Sequence, residues 1–433
     1  MTTGARPAEG ACVHAASAPP GTTLARWLER TPEPFGELAP LIGPFPRPIM
    51  RVSGPEALLK QAAKGLAAGA AQAEAVAVRL RRAGVEIAWS EPDELPDAPS
   101  FVRMCHARGA SSVAVVRADP SLVTELQLGS FFHAFWRRRV IRRLACRLGS
   151  LGVLARSPAA LLTLAADAAF WLGVRSVATP REWERLARSS YVVFYYHGVH
   201  ESADPEKAHL YIRPHRLERQ LALLRLLRFR PLTPEQLLAF HAEPKSTLPP
   251  RSYVIGADDG FRSVVEAFGG HGRVHPHVFV NTAAVGAAAS WAYDEPLADW
   301  DELKALRSAG GVVASHGRGH PALPELDAAE LADELEGALA DLSAHLEDVP
   351  PLLAYPYGRH DERVRAAAIA AGYRAVFTTE PGRNGAGIDP YCLRRLGVLD
   401  WDGAAAFLWK ATTGELLPWP WERRRRRRRA ARR

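Results

Sequence analysis

The sequence predicts an α/β fold of parallel strands from Tyr191 onward, with a barrel favoured over an open sheet. Strand-like apolar runs recur at Val192–Tyr196, Val254–Ala257, Val278–Asn281, Val312–Ser315, Leu353–Tyr355 and Ala375–Thr378. Helical segments separate several of them; Leu331, Leu335, Leu339, Leu342 and Leu346 give one such segment an apolar stripe at helical spacing. Strand–helix repetition implies parallel strands with right-handed crossovers, and the number of runs favours closure into a barrel. A further observation is that polar side chains concentrate where these runs stop. In barrels and open sheets the carboxyl ends of strands are where chemistry is kept.

A chain of 433 residues exceeds one ordinary domain, so two folded units with connectors are expected. Hydrophobic residues make up 47% and charged ones 24%, which is globular composition with ample material for a core. The net charge of +8 suggests nucleic acid or membrane, but Arg423–Arg429, Arg432 and Arg433 account for it, and the remainder is near neutral. Cys12, Cys105, Cys146 and Cys392 are scattered, which argues against a disulfide framework or a cysteine-ligated zinc. The first thirty residues lack the apolar core of a secretory signal, so the expectation is a cytoplasmic protein.

Taken in order, residues 1–45 read as a flexible leader, with Pro, Gly, Ala and Ser crowding Gly4–Thr23. Residues 46–125 read as a small α/β domain of unassigned role. Ala57–Arg82 is helical in character, Val85–Trp89 a strand, Phe101–Arg108 a helix and Ser112–Val116 another strand. No G-x-G-x-x-G or phosphate-cradling loop is present, so no cofactor is assigned to it. Residues 126–189 form a basic and apolar helical connector. Within it, Phe131–Arg147 places Phe132, Trp136, Val140 and Leu144 on one helical face among arginines. It reads either as a helix lying on an anionic membrane or as a core-facing helix with a solvated edge; the second is adopted. Ser157–Val174 is short for a bilayer span and is interrupted by Asp167, so a buried or interfacial helix is expected. The boundary falls near Ser189, residues 190–410 form the domain of repeated strand–helix units, and residues 411–433 form an Arg-rich tail. That tail can meet anionic lipid or, non-specifically, nucleic acid through charge alone, and Trp419 and Trp421 tilt the reading towards a membrane surface.

The chemistry begins at Val254–Phe261, V-I-G-A-D-D-G-F: a strand that stops in two adjacent carboxylates and a glycine. Neighbouring strand side chains point to opposite faces, so both carboxylates are useful only where the strand breaks. Ser315–Leu323 reads S-H-G-R-G-H-P-A-L directly after another strand, with His316 and His320 close enough in a tight turn to bind one ion. Two imidazoles and a carboxylate make a catalytic zinc set with open positions; cobalt or nickel is also accepted.

On these residues the domain, roughly residues 191–398, resembles the polysaccharide deacetylases, carbohydrate esterase family 4. Y-Y-H-G-V (Tyr195–Val199), G-A-D-D-G-F, V-F-V-N-T (Val278–Thr282), W-D-E-L-K-A-L (Trp300–Leu306), the His motif, A-Y-P-Y-G (Ala354–Gly358) and G-Y-R-A-V-F-T-T (Gly372–Thr379) occur in the family's order. The resemblance implies a distorted (β/α) barrel, Asp258 as general base, and Asp259, His316 and His320 as ligands of a divalent metal, zinc first. It also implies a Tyr357 backbone N–H that helps hold the oxyanion. The activity implied is hydrolytic removal of acetyl groups from an N-acetylated sugar or glycan.

This sequence departs from the family in several places. No histidine follows His360 to supply the late general acid, which leaves His197, His200 or His360 as substitutes, or Asp258 acting alone. Ala354 stands where some members have an arginine before the Pro-Tyr pair, and Arg394 or Arg395 is a candidate to orient the base from another strand end. Gly317 replaces a Ser or Thr, and Gly256 and Ala257 replace Thr and Phe. None of these losses removes a metal ligand. Two other readings stay open: an amidohydrolase of small non-sugar amides, and an impaired glycan-binding module. A lipid-linked or nucleotide-linked sugar at the inner membrane face would reconcile the substrate with a cytoplasmic chain.

Overall fold

The computed structural model describes residues 11–15, 49–85, 87–90, 97–132, 136–157, 161–201, 210–243, 247–290 and 295–416. They fall into two compact units, one within Met1–Ser189 and one within Ser190–Leu416. No helix among the described residues is long and apolar enough to cross a membrane. The arginine tail with Trp419 and Trp421, and most of the leader, lie outside the described residues.

In the first unit, Ala11–Ala15 is the central strand of a three-stranded sheet, antiparallel to Ile49–Ser53 and parallel to Ile87–Ser90. The stretch expected as a leader therefore contributes a strand. The helical stretch expected over 57–82 forms two helices, Glu56–Ala63 and Gln72–Arg82, with Gly65 and Gly69 at positive φ between them. The strand expected at Ser112–Val116 is instead the last part of a long helix, Ala98–Ala118. Phe101, Cys105, Ser112 and Val116 are buried at helical spacing, together with Val102, Gly109 and Val113, and this apolar face overrides the β propensity of the valines. Asp97 caps the helix, accepting from the Ser100 N–H at 2.6 Å.

This helix crosses Leu162–Val177 at close range. A Cβ on Gly109 would lie 2.0 Å from the Phe170 carbonyl oxygen, and one on Gly173 would lie 2.0 Å from that of His106. Glycine is required where two helix backbones approach so closely. The Leu162–Val177 helix is buried through Ala166, Ala169, Phe170, Trp171 and Val174, as its apolar sequence implies. Its Asp167 is held bidentately by Arg142, at 2.7 and 2.8 Å, with both side chains buried. That pair changes the expected packing of Trp136–Leu148. Arg142 and Ala145 turn inward, while Val140 and Leu144, expected to face the core, are exposed. A buried carboxylate needs a buried cation, and that requirement outweighs the burial of two aliphatic side chains.

The second unit is a curled sheet flanked by helices, the distorted (β/α) barrel that the sequence leads one to expect. All six expected apolar runs are strands. Their spatial order is Ala375–Phe377, Leu352–Ala354, Val312–Ser315, His277–Val280, Ser252–Ala257, Ser190–Tyr196, every neighbouring pair parallel. The segment after Pro390 bridges the two ends: Leu393 pairs with Phe377, and Leu396–Gly397 pair with Phe194–Tyr195. Arg383–Gly385 adds an antiparallel strand beside the first strand.

Strand alternation sorts the core into two layers. Tyr191, Val193, Val254, Phe279, Ala314, Ala354 and Phe377 cluster together, and Val192, Phe194, Tyr196, Tyr253, Ile255, Val278 and Val280 form a second cluster with the helices. Gly256 leaves room within the first layer, since a Cβ there would meet the Phe279 ring at 3.2 Å. Two residues beyond Val254-Gly256 comes Asp258, and two beyond Ala314 comes His316. Strand parity therefore delivers both to the same face, at adjoining carboxyl ends.

Candidate active site and metal centre

Asp258 follows directly from its strand; its N–H donates to the Tyr196 carbonyl at 3.0 Å and extends the ladder by one residue. The chain then breaks. Asp259 takes φ 70° and Gly260 φ 74°, which swings the second carboxylate to the same side as the first. His316 leaves the neighbouring strand end, its N–H donating to Val280 O at 2.8 Å. Gly317 (φ 84°) and His320 (φ 66°) close the turn that brings the second imidazole back. Left-handed backbone at non-glycine residues is costly and gathers where function demands it. Three of the eight such residues among those described, Asp259, His320 and Tyr357, lie in this site.

The outcome is one buried cluster. Ligand atoms of Asp259, His316 and His320 lie within 4.8 Å of one another, with Nε2 of His316 and His320 at 3.6 and 3.3 Å from Asp259 Oδ1. His316 Nδ1 hydrogen-bonds the Ala354 carbonyl at 2.7 Å, which fixes the ring and leaves Nε2 for a ligand. Burial holds both imidazoles below the ordinary histidine range, His320 at about 3, its neighbour His316 adding to the effect. They are therefore neutral at physiological pH, the form that binds a metal. Two neutral nitrogens and a carboxylate fit a divalent cation.

Asp258 sits beside this cluster with a different partner. Arg395 Nη1 and Nη2 donate to Oδ1 and Oδ2 at 2.6 and 2.9 Å, and Arg395 Nε donates to the Thr378 carbonyl at 2.7 Å. Burial pushes the Asp258 carboxyl up, but the charges of Arg395, His316 and His197 and the Arg395 hydrogen bonds outweigh it and hold it at about 2. Two carboxylates one residue apart thus have separate partners. Asp259 faces the imidazoles and Asp258 faces a guanidinium.

Residues 255–376 match the sequence profile described as Polysaccharide deacetylase. The second unit is a polysaccharide deacetylase domain. No curated protein matches the chain. Among solved structures, the Streptococcus pyogenes deacetylase PplD in complex with acetate is 18% identical over 52% of this chain and 99% of its own, with TM-score 0.46. IcaB from Ammonifex degensii is 22% identical over 52% and 97%, with TM-score 0.45. The putative polysaccharide deacetylase BA0330 from Bacillus anthracis is 18% identical over 51% and 69%, with TM-score 0.43.

The remaining sequence candidates separate in the deacetylase domain. His197 lies close enough for its charge to act on both Asp258 and His320. Tyr357, at φ 58°, sets its half-exposed ring against His320, centroids 4.5 Å apart. Arg395 reaches Asp258 and Arg394 does not: the Arg394 backbone exchanges hydrogen bonds with the Asn384 side chain instead. His360 stacks on Tyr355 (4.9 Å, 5° between planes) and lies 3.5 Å from Cys392 Sγ.

Glu334 had no readable signal, and Asn281 had none beyond its place in the V-F-V-N-T run. Glu334, in a π-helical turn over Asp333–Gly337, accepts from the Arg318 and Gly319 N–H groups at 2.8 and 3.0 Å and so braces the loop between the histidines. Gly317 belongs with it, since a Cβ there would meet Glu334 Oε2 at 2.9 Å, where the family commonly has Ser or Thr. Asn281 stands two residues beyond Phe279, and its buried amide makes no hydrogen bond.

Proposed function

We propose that the domain is a zinc-dependent hydrolase that removes acetyl groups from an N-acetylated sugar or glycan. One observation carries the reading: an ionised, arginine-clamped carboxylate, Asp258, adjoins a buried Asp–His–His ligand set. A bound divalent ion supplies the Lewis acidity that amide hydrolysis at neutral pH requires. Zinc suits the donor set, and cobalt or nickel would also be accepted.

Asp258 takes the proton of the attacking water on a carboxylate oxygen while Arg395 keeps the group oriented. A clamped carboxylate at so low a pKa is a weak base, so the transfer accompanies bond formation and does not precede it. His197, whose charge reaches Asp258, is the residue we assign to return a proton to the leaving amine. Tyr357 contributes its backbone N–H to the oxyanion and its ring to the wall beside His320.

Acetate release from a panel of N-acetylated glycans tests this reading, with zinc restored, after chelation, and in Asp258→Asn. Release that requires both metal and Asp258 is the expected result. A protein that binds zinc yet releases acetate from no glycan would sink it, and turnover of small non-sugar amides alone would move the substrate class.

A further inference from the structure

We propose that the exposed face of the Trp136–Leu148 helix in the first unit docks on an anionic lipid bilayer. Val140, Leu144 and Leu148 are 45, 53 and 83% exposed. Spaced four residues apart, they form one continuous stripe along the helix. Val153 and Leu161, on the segments that follow, are exposed as well. Scattered aliphatic side chains at a surface need no explanation, but an aligned series does.

Charge identifies the partner. Between Trp136 and Leu161 the sequence carries seven arginines and no acidic residue. Asp167 neutralises one of them, Arg142, from the neighbouring helix. Arg143, Arg147 and Arg156 are exposed beside the stripe. An aliphatic ridge flanked by guanidinium groups matches a surface that is apolar below and anionic at headgroup depth. A nucleic-acid backbone would satisfy the arginines and leave the leucines against water. The buried Arg142–Asp167 pair fixes the helix with this face outward, so the surface is preformed.

The test is co-sedimentation of the full chain with vesicles of equal phosphatidylcholine and phosphatidylglycerol, against phosphatidylcholine alone, at low salt. Binding is expected to the anionic vesicles and not to the neutral ones. The exposed double substitution Leu144→Glu/Leu148→Glu is expected to weaken binding about tenfold or more, the effect of withdrawing two leucines from an apolar phase. Arg143→Ser/Arg147→Ser is expected to weaken it with a smaller dependence on salt. An unchanged thermal transition in each variant confirms that the fold is intact. Full binding by the leucine variant overturns the proposal. So does binding that vanishes only when Arg423–Arg429 are replaced by serine, or a full chain that prefers duplex DNA to the vesicles.

Discussion

Arg395 closes on Asp258 from 137 residues further along the chain, with both guanidinium nitrogens on both carboxylate oxygens and neither side chain open to solvent. The guanidinium also lies 4.3 Å from the Tyr195 ring and donates to Thr378, so it is fixed on two sides before it meets Asp258. Replacing it by methionine removes the influence that lowers the Asp258 pKa most and leaves burial, which raises it. Arg395→Met is therefore expected to lose about a hundredfold in kcat/KM, with the acid limb of its pH profile displaced to higher pH. Bound metal stays unchanged. Arg395→Lys should recover little, because the bidentate geometry is lost. A pH–rate profile with metal analysis checks all three.

The same pair has a stability signature. Stranding a buried carboxylate costs about 3–5 kcal/mol, whereas removing both charges costs far less. Asp258→Asn/Arg395→Met is accordingly expected to unfold at a higher urea midpoint than Arg395→Met alone. Chemical denaturation of the four proteins of the cycle measures the coupling. Equal midpoints for the single and double variants would mean that the pair is solvated.

Glu334 braces the turn between the two histidine ligands without reaching the site itself. Its carboxylate takes two backbone N–H groups, while Arg318 pairs with Asp333 at 2.8 Å and Asp341 at 3.0 Å. Glu334→Ala is expected to weaken divalent-metal binding about 10–100-fold, the usual loss when a support behind metal ligands is removed. Competition against a chelator measures this directly. Undiminished affinity would reduce Glu334 to a surface role.

The strands and the ligands were readable because each is a local pattern. Val254–Ala257 announces a buried strand by itself, and D-D-G and H-x-x-x-H place donors at strand ends within a few residues. Arg395 was readable only as one of two neighbouring arginines, because nothing local separates Arg394 from Arg395; the sheet's parity decides which faces Asp258. Ser112–Val116 was misread for a related reason. A short valine-rich run suits strand or helix equally, and burial against Leu162–Val177 settles it. Glu334 was invisible because its effect depends on a π-helical turn, which no residue type announces.

The helix crossing in the first unit allows a sharp test of packing. Gly173 stands where a Cβ would fall 2.0 Å from the His106 carbonyl oxygen and 3.0 Å from the Ala110 nitrogen, both backbone atoms. Gly173→Val must therefore separate the two helices. A loss of about 3 kcal/mol or more is expected, at the upper end for overpacking because backbone cannot be repacked around the new side chain. Calorimetry should show this loss in the first unit's transition with deacetylase activity retained.

Acid should unfold the metal-free second unit early, and imidazoles that packing keeps neutral set the sign. Burial depresses His277 and His320 to about 3 and the half-buried His241 to about 4, each modified by nearby charges, and it depresses His316 as well. Once unfolded, each returns to the ordinary value near 6.5 and takes up a proton that the folded state refuses. Their neutral burial costs nothing above that value. Below it the three groups with known values alone take up to three more protons in the unfolded state, which lowers stability by up to about 4 kcal/mol per pH unit until the folded values are reached. Asp258 acts in the same direction at lower pH: its depressed pKa contributes stability above its ordinary value of 3.8, and this is lost as pH falls towards 2. Urea midpoints of the metal-free protein should decline steeply from about pH 6.5 downward. His277→Phe, which removes one ring that makes no hydrogen bond, should reduce the slope by about one proton. A midpoint flat between neutrality and about pH 4 would show that these imidazoles are hydrated in the folded protein.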